Sequence, residues 1–363
     1  MLAPLWPAPL PGLAWPLWLN LHASDLHHPA LLLACAPALA LCLDRLLGEP
    51  AARWHPVVWM GHWLDWAGRR IAPLAPAAAP ATTPDTPPPP DWPRFVLGAL
   101  AWLTGAALFT GAAWALQTWL LAQPPWLAAL ALGLFFKPLM AWRMLHDEVL
   151  ATEIALHTGG LPAARQQLAR LVSRDTRSLS PTQVRESAIE TLAENLNDSL
   201  IAPLLWFTLL GLPGAALYRY ANTADAMWGY PGPHPLGGAP RQWAWAGKWA
   251  ARADDALSWL PARISAALLC LTAPGRASAH GQRALRQLPA QAAQTPSPNS
   301  GWPMAATALL LDIRLGKPGS YTLHPQGRPP QRADLLQACA LCARTAYAAS
   351  ALASLTLLAL LLV

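Results

Sequence analysis

From Phe95 to Leu121 the chain carries no Asp, Glu, Lys, Arg or His. As a helix this stretch of ~27 residues is about 40 Å long, more than the hydrocarbon core of a bilayer requires. Inside lipid every backbone N–H and C=O must be paired within the protein, so a helix is the form such a stretch has to take. Gly98, Gly105 and Gly111 would let a neighbouring element approach it closely. Composition extends the argument to the whole chain: 54% of its 363 residues are hydrophobic and only 12% are charged, about half the charge of a soluble domain.

Further spans are expected at Trp126–Trp142, at Thr345–Val363 and, with its flank, at Pro29–Leu43. Ala72–Pro93 is too rich in Pro for a regular helix and reads as a linker. Residues 1–29 form a Pro-rich N-terminal extension, and 30–363 read as a single membrane-embedded domain. No Lys or Arg precedes Arg45, so the N-terminus lacks the basic region of a signal peptide. The five Cys form no readable disulfide framework. The Cys339–Cys342 pair reads as core.

The net charge of +6 does not imply nucleic acid, because the basic residues sit in loops beside apolar stretches and form no stripe. Arg45, Arg53, Arg69, Arg70 and Arg94 fall between the first two expected spans. Arg143, Arg165, Arg170, Arg174, Arg177 and Arg185 follow the next. Such alternation places both basic loops in the cytoplasm of a multi-pass protein of the inner membrane. Ile201–Tyr218 is apolar enough to cross, yet the loop after it holds Arg219, Arg241, Lys248, Arg252 and Arg263. Pro203 and the Gly211-Leu212-Pro213-Gly214 break point to a re-entrant or protein-buried segment. Ile264–Leu271 is too short to cross alone. The expected fold is all-α: a polytopic integral membrane protein with long cytoplasmic helical loops and one re-entrant or buried segment.

The candidate chemistry lies in three acidic clusters. Ser180-Pro181-Thr182-Gln183 is a helix start with the elements of a capping box. On the helix it opens, expected to reach about Leu200, Glu186, Glu190 and Glu194 recur every fourth residue, and Asn195, Asn197 and Asp198 follow. A solvated face is the ordinary reading of such a stripe. Here it runs straight into an apolar segment, where carboxylates are costly and usually functional. The second cluster is Asn222-Thr-Ala-Asp225, and the third is Asp254-Asp255. From Glu186 to Asp255 every acid belongs to one of the three; structural ion pairs with Arg219, Arg252 and Arg263 are the alternative account. Glu190, Glu194, Asn195, Asp198, Asn222, Asp225, Asp254 and Asp255 are the expected catalytic set. Mg²⁺ is the natural counter-charge, with Glu194, Asp198, Asp225 and Asp255 as its expected ligands.

Arg174-Asp175-Thr176-Arg177 forms a turn able to grip phosphate or carboxylate. His55 is a possible ligand or base, although a loop histidine is the commoner role. Ser297-Pro-Asn299 reads as the entry to a helix ending near Leu315 with Gly316 as its cap, and Lys317-Pro-Gly-Ser-Tyr321 as a polar turn facing an anion. His55, Arg174, Asp175, Thr176, Arg252, Asn299, Lys317 and Tyr321 make up the expected substrate-binding set. No phosphate-binding P-loop or Rossmann fingerprint is present.

Taken in order, these motifs resemble the CobD/CbiB family of cobalamin biosynthesis, the adenosylcobinamide-phosphate synthases. The resemblance rests on Leu43-Asp-Arg-Leu-Leu-Gly-Glu-Pro50 with His55-Pro56, Arg174-Asp-Thr176, Glu186-Ser187 with Glu194-Asn195 and Asp198, Asn222-Thr223 with Asp225, Arg252 with Asp254-Asp255, Ser297-Pro-Asn299 with Gly301-Trp302-Pro303, and Arg314-Leu-Gly316 with Tyr321. Ala224, Trp228 and Lys317-Pro318 depart from the pattern. The resemblance implies ATP-dependent joining of adenosylcobyric acid, a corrinoid, to an aminopropanol phosphate through an amide bond. The implied partners are those two substrates, the lipid bilayer and other late enzymes of the pathway. Two other readings remain at this point: a Mg²⁺-dependent prenyltransferase of the UbiA type, which shares an NxxD element but has a longer Asp repeat, and an AmpE-like membrane sensor without enzymatic activity.

Overall fold

The structure, a computed structural model, describes residues 27–75, 89–274 and 279–362. Most of the N-terminal extension, residues 1–26, and most of the Pro-rich linker fall outside the described residues. The described elements are α1 (His27–Ala34), α2 (Ala36–Leu47), α3 (Pro56–Ile71), α4 (Trp92–Leu121), α5 (Pro125–Phe136), α6 (Trp142–Thr158), α7 (Gly160–Leu168), α8 (Pro181–Leu196), α9 (Ala202–Trp228), a hairpin of β1 (Pro233–Leu236) and β2 (Ala239–Gln242), α10 (Lys248–Thr272), α11 (Ala279–Ala292), α12 (Gly301–Leu311), a second hairpin of β3 (Leu315–Lys317) and β4 (Tyr321–Leu323), and α13 (Arg332–Leu362). Four helical stretches among them are long and apolar enough to cross a membrane: Trp92–Leu121, Pro125–Thr158, Pro181–Trp228 and Arg332–Leu360.

Of the spans expected from sequence, Phe95–Leu121 lies within α4, and the described part of Thr345–Val363, up to Leu362, lies within α13. Pro29–Leu43 does not form one rod. It breaks at Cys35 into α1 and α2, with a Pro in the first turn of α2, where a missing N–H costs least. The stretch beginning at Trp126 also breaks, where Lys137 and Pro138 interrupt it between α5 and α6.

That break and another meet. The Ala141 N–H donates to the Ser199 carbonyl at 3.1 Å, and Arg219 Nε donates to the Leu139 carbonyl at 2.9 Å. Ser199 belongs to a wide π turn at Asn197–Ile201, so α8 ends at Leu196 and not near Leu200. Wide turns of this kind free backbone groups and recur at functional sites. Here each interrupted helix satisfies the polar groups that the other exposes, as irregular backbone at membrane depth requires.

α9 reverses on itself. Gly211 adopts φ 69°, ψ −154°, a conformation essentially reserved for Gly. The Leu212 N–H freed by the break is taken up by the buried Gln117 of α4, 2.7 Å away. Trp206 before the break and Tyr218 after it bond to the adjacent residues Leu257 and Ser258 of α10. Tyr218 also donates to Asp198 at 3.3 Å; on a straight helix the two would lie about 30 Å apart. Ile201–Tyr218 is therefore a helical hairpin, and its two flanks return to one end. Small residues permit this packing: a Cβ at Gly98 would lie 2.0 Å from the Ala246 carbonyl oxygen, and one at Gly105 would lie 2.1 Å from the Tyr220 hydroxyl. Among the described residues, nothing approaches Gly111 in this way.

Candidate active site

The hairpin brings all three acidic clusters to one cavity of about 430 Å³. Glu194, Asn197, Asp198, Asn222, Asp225, Asp254, Asp255 and Asn299 line it, together with Ser297 and Ser300. The capping box that starts α8 is formed: Ser180 Oγ accepts from Gln183 N–H at 3.3 Å and Gln183 Oε1 accepts from Ser180 N–H at 2.8 Å. It sets the helix rotation, and the π turn then re-aims Asp198. Asn197 Nδ2 donates to Asp198 Oδ1 at 2.8 Å, and Ser265 Oγ donates to Asn197 Oδ1 at 2.9 Å. Asn222 Nδ2 lies 3.4 Å from Asp254 Oδ1. Asn299 donates to the Asp255 carbonyl at 2.8 Å and accepts from Arg263 at 3.3 Å.

Glu186 and Glu190 of the α8 stripe are buried and Glu194 is half-buried, and the three carboxylates are paired unequally. Glu186 meets Arg314 at 3.4 Å and Glu190 meets Arg174 at 2.7 Å. Glu194, Asp198, Asp225, Asp254 and Asp255 form no ion pair among the described residues. The ion pairs expected with Arg219, Arg252 and Arg263 do not form among the described residues; the cations at the outer end of the stripe are Arg314 and Arg174 instead. Burial raises the Asp254 carboxyl well above its ordinary range, and Asp198 and Asp225 push it further. Burial raises Asp255 too.

A second cavity, of about 330 Å³, adjoins the first and shares Glu194, Ser297 and Ser300 with it. Its remaining wall comes from the loop at Ser173 and Arg174, from Thr191 and Asn195, and from Lys317, Ser320 and Tyr321. A third, of about 390 Å³, continues past Lys317 and Tyr321 to Glu186 and Arg314. The β3–β4 hairpin, with Gly319 at φ 73°, carries Lys317 and Tyr321 to this groove. Burial holds the Tyr321 hydroxyl protonated, reinforced by Glu190 and Glu194. The hairpin displaces the expected end of α12: that helix stops at Leu311, Asp312 takes the left-handed cap conformation (φ 52°), and Gly316 lies in a strand. His324 Nε2 sits 2.8 Å from Asp312 Oδ1, which anchors the cap to the hairpin.

Four residues of the expected binding set lie outside the groove's lining. His55 accepts from the Val57 N–H at 3.3 Å as the cap of α3, and its Nε2 is 3.1 Å from Glu49 Oε2. Glu49 in turn pairs with the buried Lys137 at 2.9 Å. Asp175 pairs with Arg177 at 2.8 Å on the exposed surface. Thr176 is buried and donates to the Arg165 carbonyl at 3.0 Å. Arg252 is exposed. Sequence reasoning placed Asn197 in the α8 stripe but missed the orienting groups Tyr218, Ser258 and Ser265. Tyr218, Ser258 and Ser265 sit within apolar runs and carry no signal that separates them from core.

No three His, Cys, Asp or Glu side chains among the described residues converge as a closed cage for one metal ion. The donor set nevertheless fits Mg²⁺, which commonly takes one or two carboxylates and draws its other ligands from water and substrate phosphate. Five unpaired carboxylates around one cavity leave room for that arrangement.

Fold and site together define an all-α membrane protein with a polar groove built on a broken helical hairpin. The chain belongs to the CobD/Cbib family: the family described as CobD/Cbib protein matches residues 37–342. Among its relatives, the probable cobalamin biosynthesis protein CobD of Methanothermobacter thermautotrophicus is 38% identical, over 78% of this chain and 84% of its own length. The cobalamin biosynthesis protein CobD of Chromobacterium violaceum is 39% identical over 80% and 84%. That of Rhodobacter capsulatus is 34% identical over 85% and 92%. No solved structure matches the chain.

Proposed function

We propose that this protein is a cobalamin-biosynthesis enzyme and that its groove forms an amide bond between the free propionate of adenosylcobyric acid and an aminopropanol phosphate, at the expense of ATP. The observation that carries the reading is the continuous groove, with unpaired carboxylates at one end and Arg174, Lys317 and Arg314 at the other. The propionate oxygen attacks the terminal phosphorus of ATP and displaces ADP. The amine then attacks the resulting acyl phosphate and displaces inorganic phosphate. One or two of Asp198, Asp225, Asp254 and Asp255 would hold Mg²⁺, which when bound would screen the polyphosphate. Arg174 and Lys317 stabilise the charge of a substrate phosphate in the adjoining cavity. The direct test is purified protein with ATP, Mg²⁺, adenosylcobyric acid and aminopropanol phosphate, with the products read by mass spectrometry. Product lacking the new amide, or formed without ATP, would overturn the reading.

The acid cavity predicts a pH dependence. A carboxyl whose folded-state pKa is raised binds its proton more tightly in the folded protein than in the unfolded one. Without cation, stability should therefore decrease as pH climbs from the ordinary carboxyl range through the raised values of Asp254 and Asp255. A divalent ion needs the charged forms, so its binding should strengthen over the same rise. The thermal midpoint in detergent should gain more from Mg²⁺ at pH 8 than at pH 6. A gain independent of pH would exclude these carboxylates as its ligands.

Arg174→Lys retains the charge but not the planar fork that meets Glu190 and presents a buried, unpartnered second amino group. The KM for a phosphate-bearing substrate should rise about tenfold, equivalent to ~1.4 kcal/mol. Unchanged kinetics for both such substrates would make Arg174 purely structural.

A further inference from the structure

The middle cavity has two poles. Arg174 is fixed by Glu190 at 2.7 Å on one side, and its other terminal nitrogen is buried without a partner. Lys317 lines the same cavity on the side of the outer one and forms no ion pair among the described residues. Ser297 and Ser300 line both this cavity and the acid cavity, whereas Ser320 lies with Lys317 at the outer end. Glu194 is likewise shared, the one carboxylate lining both cavities. Because Glu190 is committed to Arg174, Glu194 is the unpaired negative group of this compartment.

Two cations at one end and one carboxylate at the other match a small zwitterion with a phosphomonoester and an ammonium group. We propose that this cavity is the subsite for the amine substrate: Lys317 and Arg174 hold its phosphate, and Glu194 holds its ammonium and points the nitrogen into the acid cavity. The assignment rests on the amide-forming reading above and refines it. Charge-assisted hydrogen bonds of both signs fix orientation as well as affinity, so the amine reaches the acid cavity while its phosphate remains behind. Glu194 is thereby assigned to the amine, and the metal to one or two of Asp198, Asp225, Asp254 and Asp255.

Calorimetry on the full chain in detergent, without ATP or corrinoid, tests this. The ligands are 1-amino-2-propanol phosphate, 1-amino-2-propanol without phosphate, and isopropyl phosphate without amine. The parent should bind the zwitterion at least tenfold more tightly than either fragment. Lys317→Met should remove the advantage conferred by the phosphate and leave aminopropanol binding unchanged, and Lys317→Arg should restore part of it. Glu194→Gln should remove the advantage conferred by the amine and leave isopropyl phosphate binding unchanged. Retained binding of the unaffected fragment shows that each variant is folded. Weakened ATP binding in Lys317→Met, with zwitterion binding intact, would overturn the assignment and give the cavity to the nucleotide. An active enzyme with neither selective loss would also overturn it, while leaving the reaction standing. Selective losses in a protein that makes no amide would support the subsite and sink the reaction.

Discussion

Glu194→Gln should leave the protein folded and membrane-inserted while lowering amide formation by about 10²–10⁴-fold, the range for loss of a group acting directly at a reacting centre. Glu194 is the carboxylate shared by the acid cavity and the cation-lined cavity. It forms no ion pair, so its removal strands no buried cation. Gln preserves the shape of the side chain and one acceptor oxygen, while the charge and the second acceptor are lost. Packing loss therefore cannot account for a large decline in rate. The comparison variant is Glu190→Gln, which does strand the guanidinium of Arg174. Its defect should appear in the thermal midpoint as well as in activity, because breaking a buried pair costs about 3–5 kcal/mol. A Glu194→Gln enzyme with parental single-turnover rates would remove the α8 stripe from the mechanism.

The second large effect is expected at Gly211. A side chain there faces a backbone conformation at φ 69° that costs about 1–3 kcal/mol for a non-Gly residue. Its Cβ would also lie 2.3 Å from Gln117 Oε1, the atom that accepts the Leu212 N–H. Gly211→Val should therefore open the hairpin, separate Asp198 from Asn222 and Asp225, and abolish activity with a lowered thermal midpoint. Gln117→Leu should weaken the same turn more mildly, since it leaves one buried N–H unpaired at about 1–3 kcal/mol. Topology gives an independent check. With the native Cys replaced by Ser, single Cys at the exposed positions Ser178 and Pro240 should react alike with a membrane-impermeant maleimide in intact cells. Labelling of one and protection of the other would mean that the intervening segment crosses fully.

Membrane character was legible because it depends on sums over long stretches: no arrangement of neighbours makes a charge-free run like Phe95–Leu121 soluble. The capping box at Ser180 and the acidic spacing on α8 were legible because they are local, set by contacts within one or two turns. Gly211 and Pro213 marked the break in α9 for the same reason. Local pattern was insufficient elsewhere. His55, Asp175 and Thr176 have the right chemistry, yet they spend their hydrogen bonds on Glu49, Arg177 and the Arg165 carbonyl. Arg252 is exposed although it stands two residues from Asp254. Tertiary packing alone decided which acids found a cation, because Arg174 and Arg314 reach α8 from separate loops. It also decided where Asp198 points, since that depends on a π turn braced by Ser265 and Tyr218. A carboxylate's role here is set by whether a distant segment brings it a cation, and that is a property of the closed hairpin and not of any stretch of sequence.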